Sequence, residues 1–315
     1  MLNKQTKGYI YGCVSAVSYG VNPICAKYLY QDGINPNSVL FYRFLFGSAM
    51  LALLMIMQRK SFAITRKECS VLTGLGAIFA VSSLTYFLSF HYMSAGIAAT
   101  LVFAYPVFTA LLMALFFHER LKWPSITAIL LTIGGMALLY KDDSGQAIAT
   151  MGIVLILASA LSYALYIIVV NRSGIVMSSV KLTFYAMFIC LICLTLYALL
   201  TPTGALQMLH TPLQWSMAFT LGLVPTVISL VFMAMAIQCI GSTPTAIMGA
   251  LEPVTSVMLG IVLFGEVLTG RITLGITLIL LSVTLIILDN KLRNALAHTK
   301  VVKRGKLIVK KIRWK

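Results

Sequence analysis

SAVSYG at residues 15–20 returns as SALSYA at residues 159–164, an offset of 144. Gly8 pairs with Gly152 at the same offset. Further along, Tyr105-Pro106 with Glu119 returns as Glu252-Pro253 with Glu266, at an offset of 147. The second copy has therefore gained three residues between the two anchors. Each copy holds about five apolar stretches, and an odd number of crossings sends the second copy into a bilayer upside down relative to the first. Inverted repeats of this kind build a solute site where the two halves meet.

Composition identifies the solvent as lipid. The 315-residue chain is 60% hydrophobic and 10% charged, where a soluble domain carries about 25% charged residues. The apolar runs are continuous, rich in Leu, Ala and Met, and show no alternating period, so they read as helices rather than barrel strands. A bilayer core also requires backbone groups to be paired within their own segment. Spans are expected at 9–30, 38–57, 70–90, 96–117, 123–140, 150–170, 179–200, 214–238, 242–264 and 270–289. The fold expected is an all-α integral membrane protein of ten transmembrane helices, arranged as two inverted five-helix repeats. Residues 8–141 form the first repeat, 150–290 the second, and 291–315 a basic tail. The first span lacks a small-x-small cleavage site and belongs to the repeat, so it is expected to remain in the mature protein.

Basic residues set the orientation. With the amino terminus in the cytoplasm, twenty of the 24 Lys and Arg fall on that side, and only Lys141 and Arg271 on the other. Lys27 and Arg43 lie within spans. Both termini are therefore expected to be cytoplasmic, in a multi-pass protein of the cell membrane. The net charge of +16 follows from this bias. The tail from Lys291 onward carries ten basic and no acidic residues. Anionic lipid headgroups account for it at roughly 1 kcal/mol per basic residue near the surface, and nucleic acid is not an expected partner.

The motifs of soluble catalysis are missing. There is no phosphate-binding G-x-x-x-x-G-K-[ST] and no H-E-x-x-H. Asp142-Asp143 has no further ligands beside it, the four histidines are scattered, and Cys190 and Cys193 sit in an apolar helix where packing explains them. No cofactor, metal or enzyme activity is expected.

Polar groups at bilayer depth carry the functional reading. A charge there costs at least about 2.5–3.5 kcal/mol. Glu252 lies near the middle of span nine and is followed by Pro253, which is expected to release the Gly249 carbonyl; Pro106 is expected to release that of Val102. Thr245, Met248, Glu252, Thr255 and Ser256 share one face at helical spacing, and Leu101, Tyr105, Phe108 and Thr109 form the equivalent stripe of span four. One half thus offers a carboxylate where the other offers a phenol. Span one presents Ser15, Tyr19, Asn22 and Pro23; span six Ser159, Ser162, Tyr163 and Tyr166; span three Ser82, Tyr86 and Ser89; span eight Ser229 and Met233. Such stripes either line a cavity or hydrogen-bond helices together. Lys27 and Arg43 are expected near the outer ends of spans one and two, where their stems can snorkel; Arg43 is also placed to pair with Glu252 or an anionic solute group. Small residues at Gly8 and Gly12, at Ala95 and Ala99, and at Ser242, Ala246 and Ala250 suit close helix contact. The expected substrate-binding set is Glu252, Tyr105, Tyr19, Asn22, Tyr86, Tyr163, Tyr166, Arg43, Thr109 and Met248.

These features together resemble the drug/metabolite transporter superfamily, EamA type. The resemblance rests on the duplicated five-span copies, the small-polar first span ending near Asn22-Pro23, Arg43 within Phe41-Tyr42-Arg43-Phe44, and the two P-x(12)-E patterns. It covers residues 8–290 and leaves out the tail. It implies ten helices, both termini inside, alternating access, and a central cavity lined by spans one, three, four, six, eight and nine. It also implies an architectural role for Glu119 and Glu266 at helix ends. The expected function is that of a secondary transporter, an exporter of small amphipathic metabolites such as amino acids, with Glu252 as the site for a substrate amine or a coupling proton. Two alternatives stand beside it: a carrier of anionic metabolites, sugar phosphates or nucleotide sugars, anchored by Lys27 and Arg43, and a membrane scaffold without transport.

Overall fold

The computed structural model describes residues 4–118, 123–139, 149–175, 177–200, 205–240, 245, 248–249, 251–282 and 284–285. These residues are helical with short connections, and six helices are long and apolar enough to cross a bilayer: Pro36–Met57, Arg66–Ser89, Gly96–Phe117, Thr150–Val170, Ser179–Leu200 and Pro212–Ile240. A 22-residue helix such as Pro36–Met57 is about 33 Å long, enough for a hydrocarbon core of about 30 Å. Ile126–Leu139, Leu251–Phe264 and Gly270–Ser282 are shorter apolar helices. Span one is a pair of helices, Lys4–Gly20 and Asn22–Gln31. Each of the ten expected stretches is thus represented by helix.

Local chemistry sets the starts. Asn35 accepts a hydrogen bond from the Ser38 N–H at the head of span two, with Pro36 next to it. Thr65 with Glu68, and Thr211 with Gln214, form capping boxes at the heads of spans three and eight; each satisfies amides that the first turn leaves unpaired.

Four helices are interrupted. Span one breaks at Val21, between Gly20 and Asn22. Span four divides into Ala95–Val102 and Tyr105–Phe117, and the last part of span nine starts at Leu251. Span eight runs through a π-helical segment, Leu223–Ile228, around Pro225. Proline explains all four, because Pro23, Pro106, Pro225 and Pro253 cannot donate to the preceding turn. The freed-carbonyl expectation needs correcting at span nine, however. The Gly249 carbonyl accepts the Glu252 N–H at 2.9 Å, so a tight i to i+3 turn absorbs the acceptor that the proline would otherwise leave open.

Packing crosses between the copies. Lys4–Gly20 lies along Ser229–Ile240, and Arg66–Ser89 lies along Thr150–Arg172. At the first contact the Ser15 hydroxyl donates to the Ser229 carbonyl at 2.8 Å. At the second, Ser82 and Ser159 each donate to the other's carbonyl, at 3.0 and 2.8 Å. Ser159 is Ser15 displaced by 144, and Ser229 is Ser82 displaced by 147, so the same contact is made twice with the copies exchanged. These serines join helices. Span five meets span ten where a Cβ on Gly135 would lie 2.8 Å from the Gly275 carbonyl, and Thr132 and Ser282 share a hydroxyl contact of 2.7 Å. The fully buried side chains centre on spans two and three (Phe44, Phe87, Leu40, Leu51, Leu75), while Leu53, Ile56, Leu115, Phe116, Leu130 and Met233 face outward. That outward apolar surface is what a lipid solvent requires, and it places Met233 away from the interior stripe.

Candidate functional site

Helix breaks position most of the interior polar groups. Tyr19 is in the last turn before the break in span one, and Asn22 is the first residue after it. Tyr105 opens the second half of span four, and Glu252 falls in the first turn of Leu251–Phe264. A helix start favours a carboxylate through its dipole and unpaired amides. Gly20 lets spans one and nine touch here: a Cβ on it would lie 2.7 Å from the Thr255 Cβ and 2.8 Å from the Glu252 carbonyl. Ser256 donates to the Gly20 carbonyl at 2.8 Å, fixing the two breaks side by side.

Arg43 is the positive member of the site. It is 3% exposed, which corrects the snorkelling expectation: the side chain points inward. Its Nε donates to Thr226 Oγ1 at 3.3 Å, and the guanidinium lies within electrostatic range of the Tyr19 hydroxyl. Its Cζ lies 5.6 Å from the ring centroids of both Phe44 and Phe87, a cation–π setting worth more when dry. Thr226 belongs to the π segment, where its hydroxyl also reaches the Leu221 carbonyl at 3.2 Å. The sequence reading missed this threonine; Pro225 beside it was the available signal.

Arg43 and Glu252 do not meet as an ion pair. Tyr19 and Tyr86 lie within electrostatic range of both charges. Tyr105 and Tyr163 lie within electrostatic range of Glu252. Tyr105 meets Tyr163 edge-on at 4.8 Å, Tyr163 stacks with Tyr166 at 5.9 Å, and Tyr166 continues to Phe79 at 5.3 Å. Phe79 then meets Phe44 at 6.1 Å, next to Arg43. An aromatic wall therefore runs from the carboxylate end to the guanidinium end. Phe79, Phe44 and Phe87 were not singled out in the sequence, because a phenylalanine in an apolar helix carries no signal of its own.

Asn22 is fully buried, and neither its Oδ1 nor its Nδ2 has a hydrogen-bond partner. An interior amide left so costs about 1–3 kcal/mol for each unsatisfied group. Met248 and Thr109 fall elsewhere. The sulfur of Met248 would lie 2.5 Å from a Cβ on Gly12, so it packs spans one and nine together, and the Thr109 hydroxyl donates to its own helix at Tyr105 O, 2.9 Å. Lys27 is neither snorkelling nor free for a solute. Its Nζ is 2.9 Å from Glu266 Oε1 and 4.3 Å from the Phe264 ring centroid. Of the expected small-residue contacts, Gly8 meets Cys239 and Ile240; Ser242, Ala246 and Ala250, together with Glu119, Asp142-Asp143 and the tail, lie outside the described residues. Cys190 donates to the Gly76 carbonyl at 3.2 Å, a packing contact, and no group of metal-ligating side chains occurs among the described residues.

Broken apolar helices around a buried cluster of opposite charges and phenols define a multi-pass membrane protein with a polar interior. The model of the EamA-like transporter family matches residues 6–141 and again 150–288, and the chain belongs to that family of membrane transporters. It is 24% identical over 273 residues to the uncharacterized transporter YcbK of Bacillus subtilis, covering 84% of this chain and 88% of that one. It is 27% identical over 303 residues to the uncharacterized inner membrane transporter YicL of Salmonella typhimurium, covering 93% and 99%. A solved crystal structure shares the fold with a TM-score of 0.63 at 18% identity, over 89% of this chain and 96% of its own.

Proposed function

We propose that this transporter is a secondary exporter of small amphipathic metabolites, amino acids among them. It works by alternating access between two five-helix halves, residues 8–141 and 150–290, inserted in opposite orientations in the cell membrane with both termini in the cytoplasm. The observation that carries the reading is the placement of Glu252 and Arg43 at two ends of one tyrosine-walled cluster, unpaired with each other. A zwitterion with an apolar body presents an ammonium, a carboxylate and a hydrophobic surface, the three features that such a cluster complements. The unpartnered Asn22 amide offers one more donor and acceptor. The exchanged serine contacts, Ser15 with Ser229 and Ser82 with Ser159, support two halves built alike, and the odd number of spans in each supports their inversion. Glu252 also suits a coupling proton, since a carboxylate in an apolar interior changes charge by taking one up.

The anionic-metabolite reading loses half of its support, because Lys27 is occupied by Glu266. A scaffold needs no buried arginine and carboxylate held apart.

The test has two stages. Metabolites in the medium of cells with and without the protein are compared, and candidates are then assayed for uptake into inverted vesicles. An amino acid or similar zwitterion enriched in the medium, with pH-dependent uptake that Glu252→Gln removes while leaving a monodisperse folded protein, fits the proposal. Unchanged pH-dependent flux in that variant contradicts it.

A further inference from the structure

The ends of spans nine and four carry related contacts, each a cation over the last phenylalanine of the helix. At the end of span nine, Phe264 is followed by Gly265 with a left-handed φ of +64°, and the Gly265 and Glu266 amides bond back to Ile261 O and Gly260 O at 3.1 and 3.3 Å. This left-handed cap turns Glu266 back over its own helix, where its carboxylate rests on Gly260. Lys27, on the half of span one beyond the Val21 break, pairs with that carboxylate at 2.9 Å and covers the Phe264 ring at 4.3 Å. At the end of span four, Phe117 is followed by His118 with a φ of +55°, whose amide bonds back to Met113 O. Arg172, on the last turn of span six, covers the Phe117 ring at 4.4 Å. Phe264 is Phe117 displaced by 147, and Gly265 is likewise His118. Span six is the second copy of span one, and at its offset of 144 Lys27 corresponds to Asn171, next to Arg172.

We propose that these are a matched pair of latches. Lys27 on Phe264 and Glu266 holds one face of the transporter shut, and Arg172 on Phe117 holds the opposite face. The inference rests on the transport reading above. Its physical basis is that Lys27 rides on Asn22–Gln31, a segment separated by a break from the rest of span one, so releasing its ion pair frees that segment to swing. The Lys27 and Glu266 side chains are 29% and 11% exposed, so the pair is reached by solvent at one edge. Lys27, Glu266 and Arg172 are thus positioning residues: they act on the solute site through the helices that close over it.

Cys25, buried two residues before Lys27, serves as a native reporter. The full-length protein keeps Cys25 as its only cysteine, is reconstituted, and is challenged with a membrane-impermeant maleimide from the Lys27 face; flux and thermal melting are recorded in parallel. Lys27→Met and Glu266→Gln are expected to raise the Cys25 labelling rate by about fivefold or more. The charge-swapped Lys27→Glu/Glu266→Lys protein is expected to return it to the parent value, and Arg172→Met to lower it. Unchanged labelling in Lys27→Met, with flux intact in the parent, overturns the latch and leaves transport standing. Raised labelling that the swap does not reverse, or that Arg172→Met also produces, overturns it in favour of general loosening, which the melting curves register. Absence of flux in the parent for every solute tried overturns the reading beneath it.

Discussion

Arg43 shows how much one residue asks of its surroundings. Removing a guanidinium from water costs several kcal/mol, and the fold answers with the Thr226 hydroxyl and two phenyl faces. The Thr226 hydroxyl is not an ionic partner, and under the proposed function the uncancelled charge is the one that meets a solute carboxylate. Thr226→Val keeps the side-chain shape and removes the acceptor. It is expected to weaken solute affinity by about three- to tenfold, the effect of roughly one hydrogen bond to a charged group, with little change in maximal rate; equal losses in both terms of the flux kinetics would show that Thr226 holds the fold rather than Arg43. The residue scale also marks what a sequence reveals. Glu252, Tyr19, Tyr105, Tyr163 and Arg43 were legible because polar groups stand out against lipid-soluble helix. Met248 and Thr109 were read into the site by helical spacing, which fails across the break before Leu251 and says nothing of a hydroxyl that bonds its own turn. Lys27 was misread because its partner Glu266 is 239 residues away.

At the scale of elements, the breaks matter most. Spans one and nine are interrupted where Gly20 and Glu252 touch, so the half-helices beyond can reorient without melting whole spans. Pro106 and Pro253 made the breaks of spans four and nine legible, whereas the break of span one before Pro23 and the π segment around Pro225 were not read from their prolines. Gly20→Ala is expected to force the two breaks apart, lowering stability by about 1–3 kcal/mol, the usual cost of overpacking, and reducing flux in proportion to the loss of the closed state. Preserved melting temperature and flux would show that the contact is loose. The serine pairs give an independent check. Ser15→Ala and Ser159→Ala each remove one hydroxyl from equivalent contacts, so each is expected to cost about 1 kcal/mol. Because the two contacts share no partner, the double variant is expected to cost the sum; denaturant or thermal titration in detergent reads all three, and a strongly non-additive double would deny that the contacts are separate copies.

For the whole molecule, hydropathy and duplication made ten helical stretches legible, because lipid leaves a chain few alternatives. The crossed packing of the copies was not legible: nothing local in SAVSYG says that Ser15 meets Ser229 and not Ser159. Orientation belongs to this scale. The surplus of Lys and Arg on the terminal side leads to the expectation that a fluorescent-protein fusion at the carboxyl terminus glows and an alkaline phosphatase fusion there is inactive; the reverse pair would invert the topology and exchange the faces assigned to the two latches.

The central claim is that one interior site, charged at both ends and walled by tyrosine, carries a zwitterionic solute alternately to each side. Counterflow in proteoliposomes tests it most directly: labelled solute outside, excess unlabelled solute inside. The account predicts a transient overshoot of labelled solute in the parent protein, competed by zwitterions but not by the matching amine or acid alone, and reduced by about tenfold or more in Glu252→Gln, the effect of losing roughly one charged contact. Uptake that follows the gradient without overshoot, or an overshoot unchanged in that variant, would contradict it.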